Sequence, residues 1–189
     1  MKLLALLFFT TTLSITASST QSKDADGWTT FSPKTRRFSI LLPGSPKEKQ
    51  EYLPLGSTKI DSYGAMFQRA DAAFFILQIG DVPPEQVGRG WLDLLFENAY
   101  KLLLEYKTED GRMEVGDVSR AEIESGGHRG YEYDTGCGPY KKHVRQCMTK
   151  LRVYKVGSSI YILGVSGPAS QLPRVDIERF FSSFSVDGR

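Results

Sequence analysis

Thr149–Val156 (TKLRVYKV), Gly157-Ser158 and Ser159–Val165 (SIYILGV) form the stretch from which the fold is read. Two β-branched and aromatic runs flank a two-residue Gly-Ser junction. That arrangement signals two antiparallel strands in a hairpin. Gly167-Pro168 then closes the run, since proline cannot donate to a ladder. Working towards the N-terminus, Arg129–Asp134 alternates, with Tyr131 and Tyr133 on one side and Glu132 and Asp134 on the other. Met113–Glu124 reads as a pair of short strands. Ala72–Ile79 (AAFFILQI) is nearly continuously apolar, as in a central strand covered on both faces. In Ile60–Arg69, Tyr63, Ala65 and Phe67 share a face, and in Arg37–Leu42 so do Phe38, Ile40 and Leu42. Trp28–Phe31 opens the ordered part, and the charged run from Ser45 to Gly56, with Pro46 and Pro54, reads as a connection.

Two segments carry helical periodicity. In Gly90–Lys107, Trp91, Leu95, Ala99, Leu102 and Tyr106 recur at helical spacing, widened by Leu92, Phe96 and Leu103. Asp93, Glu97, Lys101 and Glu105 form a charged outer row, with Glu97 and Lys101 in the favourable i,i+4 order. Near the C-terminus, Ser170 is a candidate N-cap and Pro173 sits near the helix start. Ile177, Phe180, Phe181 and Phe184 follow at i, i+3, i+4 and i+7. Each helix has one apolar stripe to bury, so both are expected to pack together on the sheet. Strand runs separated by helices predict an α+β chain, an α/β/α sandwich around a central, mainly antiparallel sheet.

The chain has 189 residues and a formal net charge of +2. This balance argues against a dedicated nucleic-acid binder, which carries a clustered basic excess. Met1-Lys2, the apolar run Leu3–Leu13 and the small residues Ala17, Ser18 and Ser19 have the order of a secretory signal peptide. The apolar run is short of the roughly 20 residues of a spanning helix. The expected organisation is a signal peptide over 1–19, a loose mature N-terminus over 20–27, and a single domain over 28–189. The mature chain is expected to be extracytoplasmic, periplasmic or secreted, and not membrane-spanning after cleavage.

Arg37-Phe38-Ser39-Ile40-Leu41-Leu42-Pro43-Gly44 followed by Pro46 resembles the "RFSV-x-LPG-x-P" opening of small exported bacterial proteins grouped with the PsbP-like fold. Phe180-Phe181-Ser182-Ser183-Phe184 resembles the terminal "FF-x-SF" helix of the same family. The resemblance implies an α/β/α sandwich over nearly the whole mature chain. It implies an accessory or binding role and supplies no shared catalytic residues.

Candidate chemistry concentrates at Cys137–Lys150. In an exported chain a lone pair, Cys137 and Cys147, reads as a disulfide. The alternative is a metal site of Cys137, His143 and Cys147, with His128 as a fourth donor, because zinc takes such S and N ligands. Lys141, Lys142, His143 and Arg145, continued by Lys150 and Arg152, form a basic stretch able to meet an anionic lipid, polysaccharide or acidic partner. Glu132 and Asp134 are the carboxylate pair to weigh for acid–base work. The sequence has no H-E-x-x-H, no Walker A loop and no calcium loop, and Gly164-Val165-Ser166-Gly167-Pro168 lacks the final glycine of a nucleophile elbow. Taken together, these features predict a non-catalytic binding or accessory protein of the cell envelope, without a cofactor, recognising a protein or an envelope ligand. An envelope hydrolase with dispersed site residues is the alternative, and a metal-binding protein the third reading.

The cysteine reading has a direct test. A Cys137–Cys147 bond closing so short a loop contributes about 2–3 kcal/mol. Intact mass with alkylation before and after reduction should show thiols only after reduction. Two alkylated thiols in unreduced native protein would remove the bond.

Overall fold

The computed structural model describes residues 22–23, 26–55, 58–70, 72–80, 90–107, 113–115, 118–135 and 147–186. The strands are β1 (Ser22–Lys23), β2 (Thr29–Phe31), β3 (Phe38–Leu42), β4 (Lys47–Leu55), β5 (Thr58–Arg69) and β6 (Ala72–Gly80). After the helices α1 (Trp91–Asn98) and α2 (Lys101–Leu104) come β7 (Glu105–Lys107), β8 (Met113–Val115), β9 (Val118–Ser125), β10 (His128–Thr135), β11 (Cys147–Val156) and β12 (Ser159–Pro168). A 3₁₀ turn (Ala169–Gln171), α3 (Arg174–Ser182) and β13 (Ser185–Val186) complete the order. A seven-stranded sheet, β4-β5-β6-β12-β11-β10-β9, is antiparallel at every pairing. A second sheet runs β1-β2-β3-β13, and β7 pairs with β8.

This architecture corrects the expected α+β, α/β/α sandwich. Strand residues outnumber helical ones by more than three to one. The reason is one of reach. Seven strands span about 29 Å at ~4.8 Å spacing. An eight-residue α1 is only about 12 Å long, and α3 has nine residues. Neither helix can form a layer, so the small sheet does much of the covering. The Gly90–Lys107 periodicity also overstates the helix. It breaks at Ala99-Tyr100, and Glu105–Lys107 pairs with Met113–Val115 instead. The break sets the Tyr100 ring flat on Tyr133, with centroids 4.6 Å apart. The charged run taken as a connection contains β4, a full edge strand.

The two helical stripes bury on opposite faces of the large sheet, not together. Phe180, Phe181 and Ile177 of α3 join Phe31, Phe38, Ile40, Leu42, Phe74 and Leu163 in a core beneath the small sheet. Phe96 and Ala99 join Tyr131, Tyr133, Leu151, Val153, Ile160 and Ile162 on the other side, with Trp91 and Leu95 partly buried there. β6 explains why both cores are possible. Its even residues, Ala72, Phe74 and Ile76, enter the first core, while Phe75, Leu77 and Ile79 enter the second.

The chain's two motif-bearing ends meet. The Leu41 N–H donates to Ser183 Oγ at 2.8 Å, and Ser183 Oγ donates to the Phe180 carbonyl at 2.7 Å. β13 then pairs with β3, Ser185 opposite Ser39. One hydroxyl therefore satisfies a strand amide and a helix carbonyl at once. The described residues of the 20–27 segment make contacts with the fold. Ser22 pairs opposite Thr30, and Arg179, which lies over the Trp28 ring, donates to Asp26 at 3.1 Å. Near the β4–β5 edge, Gly44 leaves room for the Phe67 ring, since a β-carbon there would lie 2.4 Å from it and the ring would have to shift.

Replacing Ser183 by alanine should cost about 1–2 kcal/mol, because a half-buried amide loses its acceptor. Urea denaturation should show a lower midpoint with an unchanged slope. A midpoint equal to wild type would mean that this link adds nothing.

Candidate functional site

β10 and β11 pair with Glu132 opposite Arg152 and Asp134 opposite Lys150. Alternation sends Tyr131, Tyr133, Leu151 and Val153 into the second core. The four charged residues consequently share the other face, beside α3. Lys150 Nζ lies 2.9 Å from Glu132 Oε1 and 3.4 Å from Asp134 Oδ2. Arg152 Nε donates to Glu132 Oε2 at 2.8 Å, and its guanidinium reaches Glu178 on α3 at 3.9 Å. The Arg152 guanidinium also rests 4.6 Å from the centre of the Phe181 ring. Both carboxylate oxygens of Glu132 are thus occupied by cations.

A cleft of about 320 Å³ opens at this ladder. Its cations are Lys150 and Arg174, its carboxylates Asp134 and Glu178, and its apolar lining Met148, Leu172 and Ile177. Sequence reasoning treated Glu132/Asp134 and Lys150/Arg152 as separate features and did not bring α3 to either. The signal available was the matched spacing, Glu-x-Asp on one strand and Lys-x-Arg on the next, which antiparallel pairing turns into facing pairs.

Burial of Glu132 opposes ionisation, but hydrogen bonds and charge from Lys150 and Arg152 outweigh it, and its carboxyl sits below the usual range. Lys150 is partly desolvated, yet Glu132 and Asp134 hold its ammonium above the ordinary lysine value. This pairing suits neither a proton-donating acid nor an amine nucleophile at neutral pH. It suits complementary contact with charged groups.

A second polar cluster fastens α1. Tyr131 donates to Glu97 Oε1 at 2.9 Å, and Arg120 donates to Glu97 Oε2 at 2.7 Å. Hydrogen bonds from Tyr131 and Arg120 lower the Glu97 carboxyl. Glu97, read from sequence as the partner of Lys101, is held by the sheet instead. The Arg120 guanidinium lies 3.6 Å from the centre of the Tyr131 ring. Burial raises Tyr133 to about 12.

Cys137, Lys141, Lys142, His143 and Arg145 lie outside the described residues. The backbone of Cys147 opens β11 opposite Pro168. His128 begins β10, whose other end, Thr135, pairs with Thr149. Seven residues of strand, roughly 23 Å, separate those positions. His128 is therefore remote from the Cys147 end of the sheet. Among the described residues no group of three or more His, Cys, Asp or Glu side chains could hold a metal ion. No described helix is long and apolar enough to cross a membrane. Comparison with protein-family models and with curated proteins finds no match.

The ladder sets a pH dependence. A carboxyl lowered on folding stabilises the fold above its unfolded value, and that stability is lost as pH falls through the folded value. Glu132→Gln should cost about 1–2 kcal/mol at pH 7, by leaving Lys150 and Arg152 short of a counter-charge. Urea denaturation should show the gap between variant and wild type closing as pH drops below the carboxylate range. A gap unchanged at pH 3 would contradict this.

Proposed function

We propose that the protein is an exported, non-catalytic binding module acting outside the cytoplasm. Its cleft beside α3 takes a partner segment in which an apolar side chain is flanked by groups of opposite charge. The observation that carries this reading is the clamping of Glu132 by Arg152 and by Lys150, which itself lines the cleft. A hydrolytic carboxyl pair needs one member held protonated near neutral pH. Glu132 is shifted the other way. The remaining lining supports recognition: Met148, Leu172 and Ile177 offer an apolar seat, with Arg174 and Glu178 beside it on α3. The leader sequence supports export.

The test is selection of peptides from a random display library, followed by affinity measurement on Arg174→Glu and Glu178→Lys. Selected peptides should carry an apolar residue between an acidic and a basic one. Each substitution should weaken binding by about tenfold, roughly 1.4 kcal/mol. Peptides that bind both variants as tightly as wild type would overturn the assignment. So would turnover of chromogenic esters or glycosides that disappears in Glu132→Gln, which would favour the hydrolase.

A further inference from the structure

β4 stands at one edge of the seven-stranded sheet. It is nine residues long, and among the described residues β5 is its only neighbour in the sheet. The Glu51 carbonyl accepts a hydrogen bond from Ser62 Oγ on β5 at 3.1 Å, so Glu51 directs its backbone polar groups inward. Backbone groups of successive strand residues alternate in direction. Glu48, Gln50 and Tyr52 therefore direct theirs outward, to the open edge. Pro54, in phase with them, is the strand residue without an N–H, and its place on the outward side is where an edge tolerates proline.

We propose that two copies of this chain associate through antiparallel β4 edges, with the two-fold axis at Gln50. This goes beyond the binding function above and rests on a different surface. At that register Gln50 faces Gln50, Glu48 faces Tyr52, and Lys49 faces Glu51, each of the last two pairs occurring twice. About six backbone hydrogen bonds join the outward groups. Pro46 and Pro54 fall opposite each other and end the ladder at both sides. The intrachain Lys49–Glu51 contact shows that these side chains already lie on one face. Tyr52, 65% exposed, gains a cross-strand neighbour in Glu48. The charges also select the register. Moving the axis one residue to Lys49 opposes two lysines, and moving it to Glu51 opposes two glutamates. Edge charges ordinarily prevent pairing; at this register they permit it, and they disfavour both one-residue shifts.

The test uses the full chain and sedimentation velocity over a roughly hundredfold concentration range, where a dimer shows mass-action behaviour. Wild type should form a dimer. Lys49→Glu and Glu51→Lys each place like charges in both symmetric pairs, and each should weaken association by about tenfold or more. An equimolar mixture of the two variants should restore a dimer. In that mixture an edge carrying carboxylates at both positions faces an edge carrying ammonium groups at both. Wild type that stays monomeric throughout would overturn the proposal. So would single variants that dimerise like wild type, or a mixture that stays monomeric.

Discussion

The pairing of β6 with β12 is the contact on which the rest of the structure depends. It runs from Ser159 opposite Gly80 to Ser166 opposite Ala73. It welds two local meanders, β4-β5-β6 and β9-β10-β11-β12, into one sheet. Without it neither meander has a face wide enough to bury the aromatics. Gly164 allows the close fit, because a β-carbon there would lie 2.1 Å from the Phe75 ring. Gly80, at φ +140, ends the pairing beside the Ser158 carbonyl, in a conformation that side chains avoid. The paired residues are far apart in the chain, so the contact carries the loop-closure entropy that local hairpins escape.

The two faces then differ because their covers differ. The small sheet and α3 cover the middle of one face, over β5, β6 and β12, where the residues are apolar and fully buried. That cover thins out over β10 and β11. There the alternating positions carry Glu132, Asp134, Lys150 and Arg152 in place of hydrocarbon. Half-buried charges in such a place must be paired to be tolerated. The ladder is therefore a consequence of the limited reach of α3, and its members Asp134 and Lys150 also line the cleft. On the opposite face α1 is held by Phe96 packing and by the Glu97–Arg120–Tyr131 cluster.

Strand identity was largely legible where period-2 patterning was strong. Phe38–Leu42, Ala72–Ile79 and the Val156–Ser159 hairpin are read correctly from residue alternation and turn chemistry. β4 was not, because KEKQE reads as solvated loop when nothing identifies the neighbouring strand. The long helix was overread, because a periodic stripe continues through Ala99-Tyr100 although the backbone does not. The charged members of the site were each visible, but their convergence with Arg174 and Glu178 was not. That requires knowing that the C-terminal helix lies across the β10–β11 pair.

By itself the amino-acid sequence determined which short segments extend, where hairpins turn and which side chains need burial. These properties depend on neighbours a few residues apart, through backbone sterics and side-chain alternation. Only the tertiary structure decided that α1 and α3 lie on opposite faces, that the layers are mainly sheet, and that Glu132 meets Lys150 and Arg152. Those outcomes depend on which distant strands pair and on how far each short element reaches. Both are settled by the shared burial of surfaces from the whole chain, not by any local pattern.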